Sequence, residues 1–363
     1  MPEIKNKQAL FIKTKNIGDS IILTSAISAL PKSYRYVDII CLPESEAIFN
    51  MHPRVRHVFV IPRHMKGVKK VSAYLKFFKQ IAAKSYDLLA HFSNDWRGAL
   101  VQRLFPAKLS VGRKTHRRGQ FWHQSFDVLT ECLDDVRPIA EQDVDLLRAT
   151  NLFKSQKAPP YLVKPSLKQK SKVRTWLIKQ SVVRNKKLVV IHAPSRWKFK
   201  ELPIATWAYV IDQLKKNKHE VILCGSKDDF LSNQAIAASC TMKPIITKNF
   251  SLEETAALYS MAHLVLTIDS MSTHLASATQ TPVISIFGPS NEKNWGPWGV
   301  KYRVIALTTK DSPTFSCRPC GQDGCEGTKV SQCLLQMQPA MIVKEAFNML
   351  RHIKTLTGSD LRQ

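Results

Sequence analysis

Short apolar runs rich in β-branched residues recur along the chain, and most are followed by a stretch with helical spacing. In the first half, Ala9 to Lys13, Val37 to Cys41, Val55 to Val60 and Leu88 to Phe92 read as strands. Ser20 to Leu30 reads as a helix, and Val71 to Lys84 as a basic amphipathic one. Strands joined by helical crossovers predict a parallel sheet covered on both faces. A polar stretch from Lys154 to Lys172, with Pro159, Pro160 and Pro165, breaks the pattern and marks a domain boundary.

The alternation then restarts. Leu188 to His192, Val221 to Cys224, Leu264 to Ile268 and Val283 to Phe287 read as strands; Ile204 to Lys216, Asp228 to Ala238 and Leu252 to Met261 read as helices. The predicted organisation is a Rossmann-like domain over 1–165 and a second over 166–338, the latter with a cysteine-rich loop at 317–333. A C-terminal helical segment over 339–363, centred on Pro339 to Ile353, is expected to pack back toward the first domain. Two doubly wound domains in tandem predict a central cleft at the carboxyl ends of their strands, where open α/β sheets bind ligands.

The most informative segment is Leu264 to Pro297. After the strand, Ser270 to His274 opens a helix, and a helix N-terminus that follows a parallel strand binds anions through its unpaired N–H groups and dipole. The expected ligand is a phosphate. Ala276, Ser277 and Ala278 keep that helix thin, and Gly288-Pro289 turns the chain after the next strand.

Composition narrows the class. The chain has 363 residues, 44% of them hydrophobic, and no uninterrupted apolar run nears the roughly 20 residues of a spanning helix. The N-terminus lacks a signal-peptide pattern, so a cytoplasmic location is expected. Lys and Arg number 54 against 28 acids, a formal charge of +26. From Arg54 to Arg118 the only acids are Asp87 and Asp95. Such a face suits an anionic membrane leaflet or a phosphorylated substrate, with a plain solvated surface as the bland alternative. Nucleic acid ranks last, since no zinc-finger, RNP or helix-turn-helix pattern is present.

Three clusters carry candidate chemistry. Thr14-Lys15-Asn16-Ile17-Gly18-Asp19-Ser20 joins the first strand to the first helix, and Asp19 reads either as an N-cap or as a general base. His192 to Lys200 places Ser195, Arg196, Lys198 and Lys200 in one loop, where fixed cations suit a diphosphate. Asp269 with Ser272, Thr273 and His274 forms the third. Cys317, Cys320, Cys325 and Cys333 could enclose a structural zinc ion, although their spacing departs from a zinc ribbon; free thiols, or disulfides formed only on exposure to oxidant, are the alternatives. Cys41, Cys132, Cys224 and Cys240 read as inert core residues.

Ile17-Gly18-Asp19 with Leu23-Thr24, Ser195 to Lys200, Asp269-Ser270 through Ala276, Phe287-Gly288-Pro289 and Trp295-Gly296-Pro297 together resemble the bacterial lipopolysaccharide heptosyltransferases of glycosyltransferase family 9. The cysteine segment resembles that of heptosyltransferase III-like members. The resemblance implies a GT-B fold and inverting transfer of heptose from ADP-L-glycero-β-D-manno-heptose to the phosphorylated inner core of lipopolysaccharide, at the cytoplasmic face of the inner membrane. It implies Asp19 as base, with Lys15 and Asn16 at the acceptor. Ser195, Arg196 and Lys200 would hold the diphosphate, Asp269 the donor sugar, and Ser272, Thr273 and His274 the phosphate at the helix end. Met271 stands where many members have Gly, which puts donor identity in question. The cations Arg196, Lys198 and Lys200 are expected to stand in for a divalent metal. The rival readings are a GT-B enzyme using another nucleotide sugar, and a non-catalytic nucleotide- or polyanion-binding protein.

Overall fold

Ala9 to Lys13 is buried along its whole length, as the central strand of a parallel sheet must be. In the computed structural model, which describes residues 7–63, 66–116, 118–131, 136–182 and 185–353, it forms β1 (Gln8–Lys13). Arg117, Cys132 and residues 354–363 lie outside the described residues. The first unit continues with α1 (Ile17–Ala29), β2 (Tyr36–Cys41), α2 (Glu46–Asn50), β3 (Val55–Val60), α3 (Gly67–Ala82), β4 (Leu88–His91) and α4 (Trp96–Leu104). It closes with β5 (Ser110–Arg113), α5 (Gln120–His123), β6 (Val128–Thr130) and α6 (Ile139–Ala149).

Among the described residues its sheet has the order β3-β2-β1-β4-β5-β6, every pairing parallel. Right-handed crossovers put α3, α4 and α5 on one face. Accordingly Phe77 and Ile81 of α3, Ala99 and Val101 of α4 and Trp122 of α5 share a core with Leu10 and Ile12 of β1. On α4, Gly98 is required by closeness: a Cβ there would lie 2.3 Å from the His91 ring. Against α1 packs α6.

Two compact units divide between Lys164 and Pro165. The proline-containing stretch before that point is not loose: Tyr161 and Val163 are buried, and Ser25 Oγ donates to the Pro159 carbonyl at 2.5 Å. The second unit comprises α7 (Leu167–Lys179), β7 (Leu188–His192), α8 (Ile204–Lys216), β8 (Glu220–Leu223), α9 (Phe230–Ser239), β9 (Ile245–Ile246), α10 (Leu252–Met261) and β10 (Leu264–Ile268). Then follow α11 (Met271–Ala278), β11 (Val283–Ile286), α12 (Glu292–Trp295), β12 (Tyr302–Ile305), α13 (Gln332–Leu335) and α14 (Pro339–Arg351). Its parallel sheet has the order β12-β11-β10-β7-β8-β9, the same doubly wound topology as the first.

Helix α14 is part of the second unit. Its buried residues Ile342, Val343, Ala346, Met349 and Leu350 belong to the second unit's core, and Lys187 Nζ caps its end at the Leu350 carbonyl, 2.5 Å away.

Two buried histidines set an acid limit on the first unit. His52 is held by Ser28 Oγ at 3.3 Å and by the Arg54 N–H at 3.2 Å, and burial pushes it down to about 3. His91, packed against the Trp122 and Phe126 rings, is pushed by burial to about 4. Both stay neutral when folded but bind protons in the unfolded chain below its pKa of about 6.5, so acid favours unfolding. Stability is therefore intact above that value and lost as pH falls toward 4, by about 2 kcal/mol per histidine between pH 7.5 and 5. Urea midpoints at those two pH values test this; an unchanged midpoint at pH 5 would refute it.

Candidate active site

The topology of each sheet selects one pair of strand ends. In the first, the chain runs outward from β1 and returns to β4, so the carboxyl ends of β1 and β4 flank the switch point where doubly wound sheets bind ligands. Thr14 and the loop after β4 meet there. The Thr14 N–H donates to Ser93 Oγ at 2.9 Å, and its hydroxyl donates to Asp95, which also caps α4.

Asp19 is not the N-cap. That position belongs to Asn16, whose exposed side chain makes no capping bond, and Asp19 falls in the first turn of α1, where unpaired amides and the dipole favour a carboxylate. Its side chain is 13% exposed and stands 3.8 Å from Lys15 Nζ. Lys15 is exposed, so the cluster leaves one carboxylate and one ammonium reachable at the strand's end.

Beneath this loop lies a charge cluster that sequence reading missed. Lys13 Nζ is 2.9 Å from Asp143, which also accepts from Arg113 at 2.7 Å; Lys13 and Asp143 are both 1% exposed. Burial pushes the Lys13 ammonium down while Asp143 and Asp19 hold it up. The expectation that the chain has no Asp-x-Asp pattern to hold a divalent cation is wrong, because Asp143 and Asp145 have that spacing. Their carboxylates diverge: Asp143 turns to Lys13 and Arg113, Asp145 to Arg137 and Arg148.

The switch point of the second sheet lies between β7 and β10, where Thr267 pairs with His192. A single-turn helix, Lys198–Lys200, follows β7 and brings Lys200 Nζ to 2.6 Å from Asp269 Oδ2 beyond β10, with side chains 21% and 9% exposed. Glu201, unremarked in the sequence, organises the loop: it accepts from the Ser195 N–H at 2.9 Å and pairs with Lys198 at 3.0 Å. Ser195 Oγ accepts from the Trp197 N–H at 3.1 Å, while Arg196 lies exposed over the Trp197 ring.

Ser270 caps α11 by accepting from the Ser272 N–H. The side chains of Ser272, Thr273 and His274 are buried, and two are engaged inwards: Ser272 Oγ accepts from Tyr259, and Thr273 bonds Ser285 at 2.6 Å. Their hydroxyls therefore fix the helix in place, and the group this segment can offer an anion is the amide array of its first turn. Met271, half-buried, starts that turn.

The cysteine segment serves as a brace. Arg318, 4% exposed at its side chain, donates to the carbonyls of Gly288 at 2.5 Å and Leu307 at 2.8 Å and pairs with Glu292 at 3.1 Å. Ser331 Oγ donates to the Phe199 carbonyl at 2.6 Å, propping the turn that carries Lys200. Leu334 packs so closely that a Cβ on Gly288 would lie 2.7 Å from it. The zinc expectation finds no support here: among the described residues no three His, Cys, Asp or Glu side chains are grouped to hold an ion. Cys333 is buried in the core, its thiol pushed up to about 11, whereas Cys317 is exposed.

The chain has clear relatives. The model of glycosyltransferase family 9 (heptosyltransferase) matches residues 74–321. Lipopolysaccharide heptosyltransferase 3 of Escherichia coli is 27% identical over 77% of this chain and 83% of its own length. Among solved structures, a family 9 glycosyltransferase from Veillonella parvula superposes with a TM-score of 0.81 at 17% identity, covering 96% of this chain and 98% of that one. The ADP-heptose lipopolysaccharide heptosyltransferase II of E. coli superposes with a TM-score of 0.75 at 18% identity, covering 95% and 98%. The two Rossmann-like units are thus those of a GT-B fold.

Proposed function

Because this chain belongs to glycosyltransferase family 9, the heptosyltransferases, we propose that it transfers heptose from ADP-L-glycero-β-D-manno-heptose to the inner core of lipopolysaccharide with inversion at the anomeric carbon. The observation that carries the reading is the Lys200–Asp269 pair beside the first turn of α11, at the switch point of the second sheet. That arrangement supports a nucleoside diphosphate sugar: a cation and helix-end amides for the phosphates, a carboxylate for sugar hydroxyls.

In this reading Asp19 takes the proton of an acceptor hydroxyl as its oxygen bonds to the anomeric carbon of the heptose. The bond from that carbon to the diphosphate breaks in line, and ADP leaves with the electron pair. Lys200, Arg196 and the first-turn amides of α11 stabilise the charge that builds on the departing phosphate. Ser195 contributes through a loop that Glu201 holds in shape. Asp269 keeps Oδ2 on Lys200 and turns Oδ1 to the donor sugar. Lys15 and Asn16 contact the acceptor. The cations fill the role of a divalent metal, so chelation with EDTA is expected to leave the rate unchanged. In the same reading the acceptor is lipid-linked and phosphorylated, and the protein works at the cytoplasmic face of the inner membrane.

A donor screen tests the reading. ADP-heptose should raise the melting temperature and turn over with truncated lipopolysaccharide acceptors, whereas UDP- and GDP-sugars should do neither. Turnover with a UDP- or GDP-sugar instead would transfer the chain to the other nucleotide-sugar reading that Met271 raises.

A further inference from the structure

The basic run from Arg54 to Arg118 does not form one uniform face. Arg54 donates to the carbonyls of Ile27, Leu30 and Pro31, and Arg56 and Lys84 pair with buried Asp38. Arg113 pairs with Asp143, and Lys108 with Asp87. What remains is concentrated on α3.

This helix has two apolar stripes. Tyr74, Phe77, Phe78 and Ile81 pack on the core. Val68, Val71 and Leu75, spaced three and four apart and so aligned on one face, point to solvent at 84%, 60% and 65% exposure. Lys69, Lys76 and Lys79 run beside that second stripe, with Lys70 near the helix start, and all four are exposed. None of the four has a carboxylate within ion-pair distance among the described residues, because the only acids nearby in sequence, Asp87 and Asp95, bond Lys108, Thr14 and Arg97. A solvent-facing ridge of this length on an ordinary surface helix would be polar.

We propose that the outer face of α3 is a membrane-insertion surface. Val68, Val71 and Leu75 enter the headgroup and acyl boundary of an anionic phospholipid bilayer, and the flanking lysines pair with lipid phosphates. Charge decides the occupant: protein interfaces disfavour lysine, whereas an apolar stripe bordered by lysines is the pattern of an interfacial helix. Other exposed apolar groups stand on the α3 side of the sheet. Phe78 of α3 contacts Phe105 just after α4, and on the same side of the sheet Leu104 and Phe121 are exposed beside Arg103, which lies over the Phe121 ring. The start of α3 lies at the carboxyl edge of the first sheet, the edge that also carries Asp19. A lipid-linked acceptor held in the same bilayer would thus be delivered to the candidate base, a consequence that rests on the transferase reading above.

Co-sedimentation of the full chain with vesicles of phosphatidylcholine, with and without phosphatidylglycerol, tests the surface in the absence of any sugar or nucleotide. Anionic vesicles should bind the protein and neutral ones much less. Val71→Ser with Leu75→Ser should lower binding to anionic vesicles by about tenfold or more, since both residues lose an apolar burial without changing charge. Lys76→Gln with Lys79→Gln should lower it too, and added salt should weaken it. Leu167→Ser, which removes an equally exposed leucine from α7 in the second unit, should bind as the parent does. All these positions are exposed, and circular dichroism checks that each variant folds. The proposal is overturned if anionic vesicles are not bound, or if the serine pair binds like the parent. Turnover with ADP-heptose on a micellar acceptor reports separately, so a parent chain that turns over but does not bind anionic vesicles refutes this surface alone.

Discussion

Asp19→Ala is expected to lower heptosyl transfer by about two to four orders of magnitude, the range typical of losing a positioned general base. Donor binding should change little, because Lys200, Asp269 and the start of α11 all belong to the second unit and Asp19 to the first. Calorimetry with ADP and a turnover assay on the same preparation separate the two quantities. The variant should fold: Asp19 is partly exposed, its nearest cation lies 3.8 Å away, and losing a first-turn carboxylate costs a helix about 0.3–1 kcal/mol. Asp19→Asn, which keeps the shape and removes the basicity, should be nearly as slow. Turnover close to that of the parent in either variant removes Asp19 from the role of base.

Lys200→Ala should damage binding and chemistry together. The ammonium attracts the diphosphate in the ground state and stabilises more charge as ADP departs, so we expect about tenfold weaker ADP binding and a turnover loss of about two to three orders of magnitude. Asp269 would also lose its partner at 9% side-chain exposure, which costs about 1.5–3 kcal/mol of stability. Lys200→Met combined with Asp269→Asn isolates the chemical role. Removing both charges should recover most of the stability while leaving turnover low, since no unpaired buried carboxylate remains. Unchanged ADP affinity in Lys200→Ala would contradict the diphosphate assignment.

Much of the fold is legible along the chain because central parallel strands are apolar on both faces. The central strands Leu188–His192 and Leu264–Ile268 match their predicted bounds residue for residue, as do the edge strand Val55–Val60 and the helices Ile204–Lys216 and Leu252–Met261. Strands β5, β6, β9 and β12 escape because they lack the apolar run that marks the equally short but fully buried β4, β8 and β11: Gly112, Arg113 and Arg303 interrupt two of them and the others have three residues or fewer. Helix α1 starts at Ile17, three residues before the apolar pattern, so Asp19 falls inside the first turn rather than capping it. The candidate site is legible only as motifs: strand, polar turn and helix mark where a doubly wound sheet presents its loops.

By itself, the sequence determined the class of protein: two doubly wound units, three polar loops at strand ends, and an excess of positive charge without matching acids. These follow from local periodicity and composition, which need no partner distant in the chain. Only the tertiary structure decided which groups meet. Lys200 finds Asp269 across 69 positions, Ser331 reaches Phe199 across 132, and Lys13 buries its charge on Asp143 across 130. It also divided the basic run, turning Arg54, Arg56 and Arg113 inward and leaving the lysines of α3 beside an exposed apolar stripe. The physical reason is that a charge or hydroxyl acquires its role from the neighbour that replaces water around it, and that neighbour is chosen by packing rather than by sequence spacing.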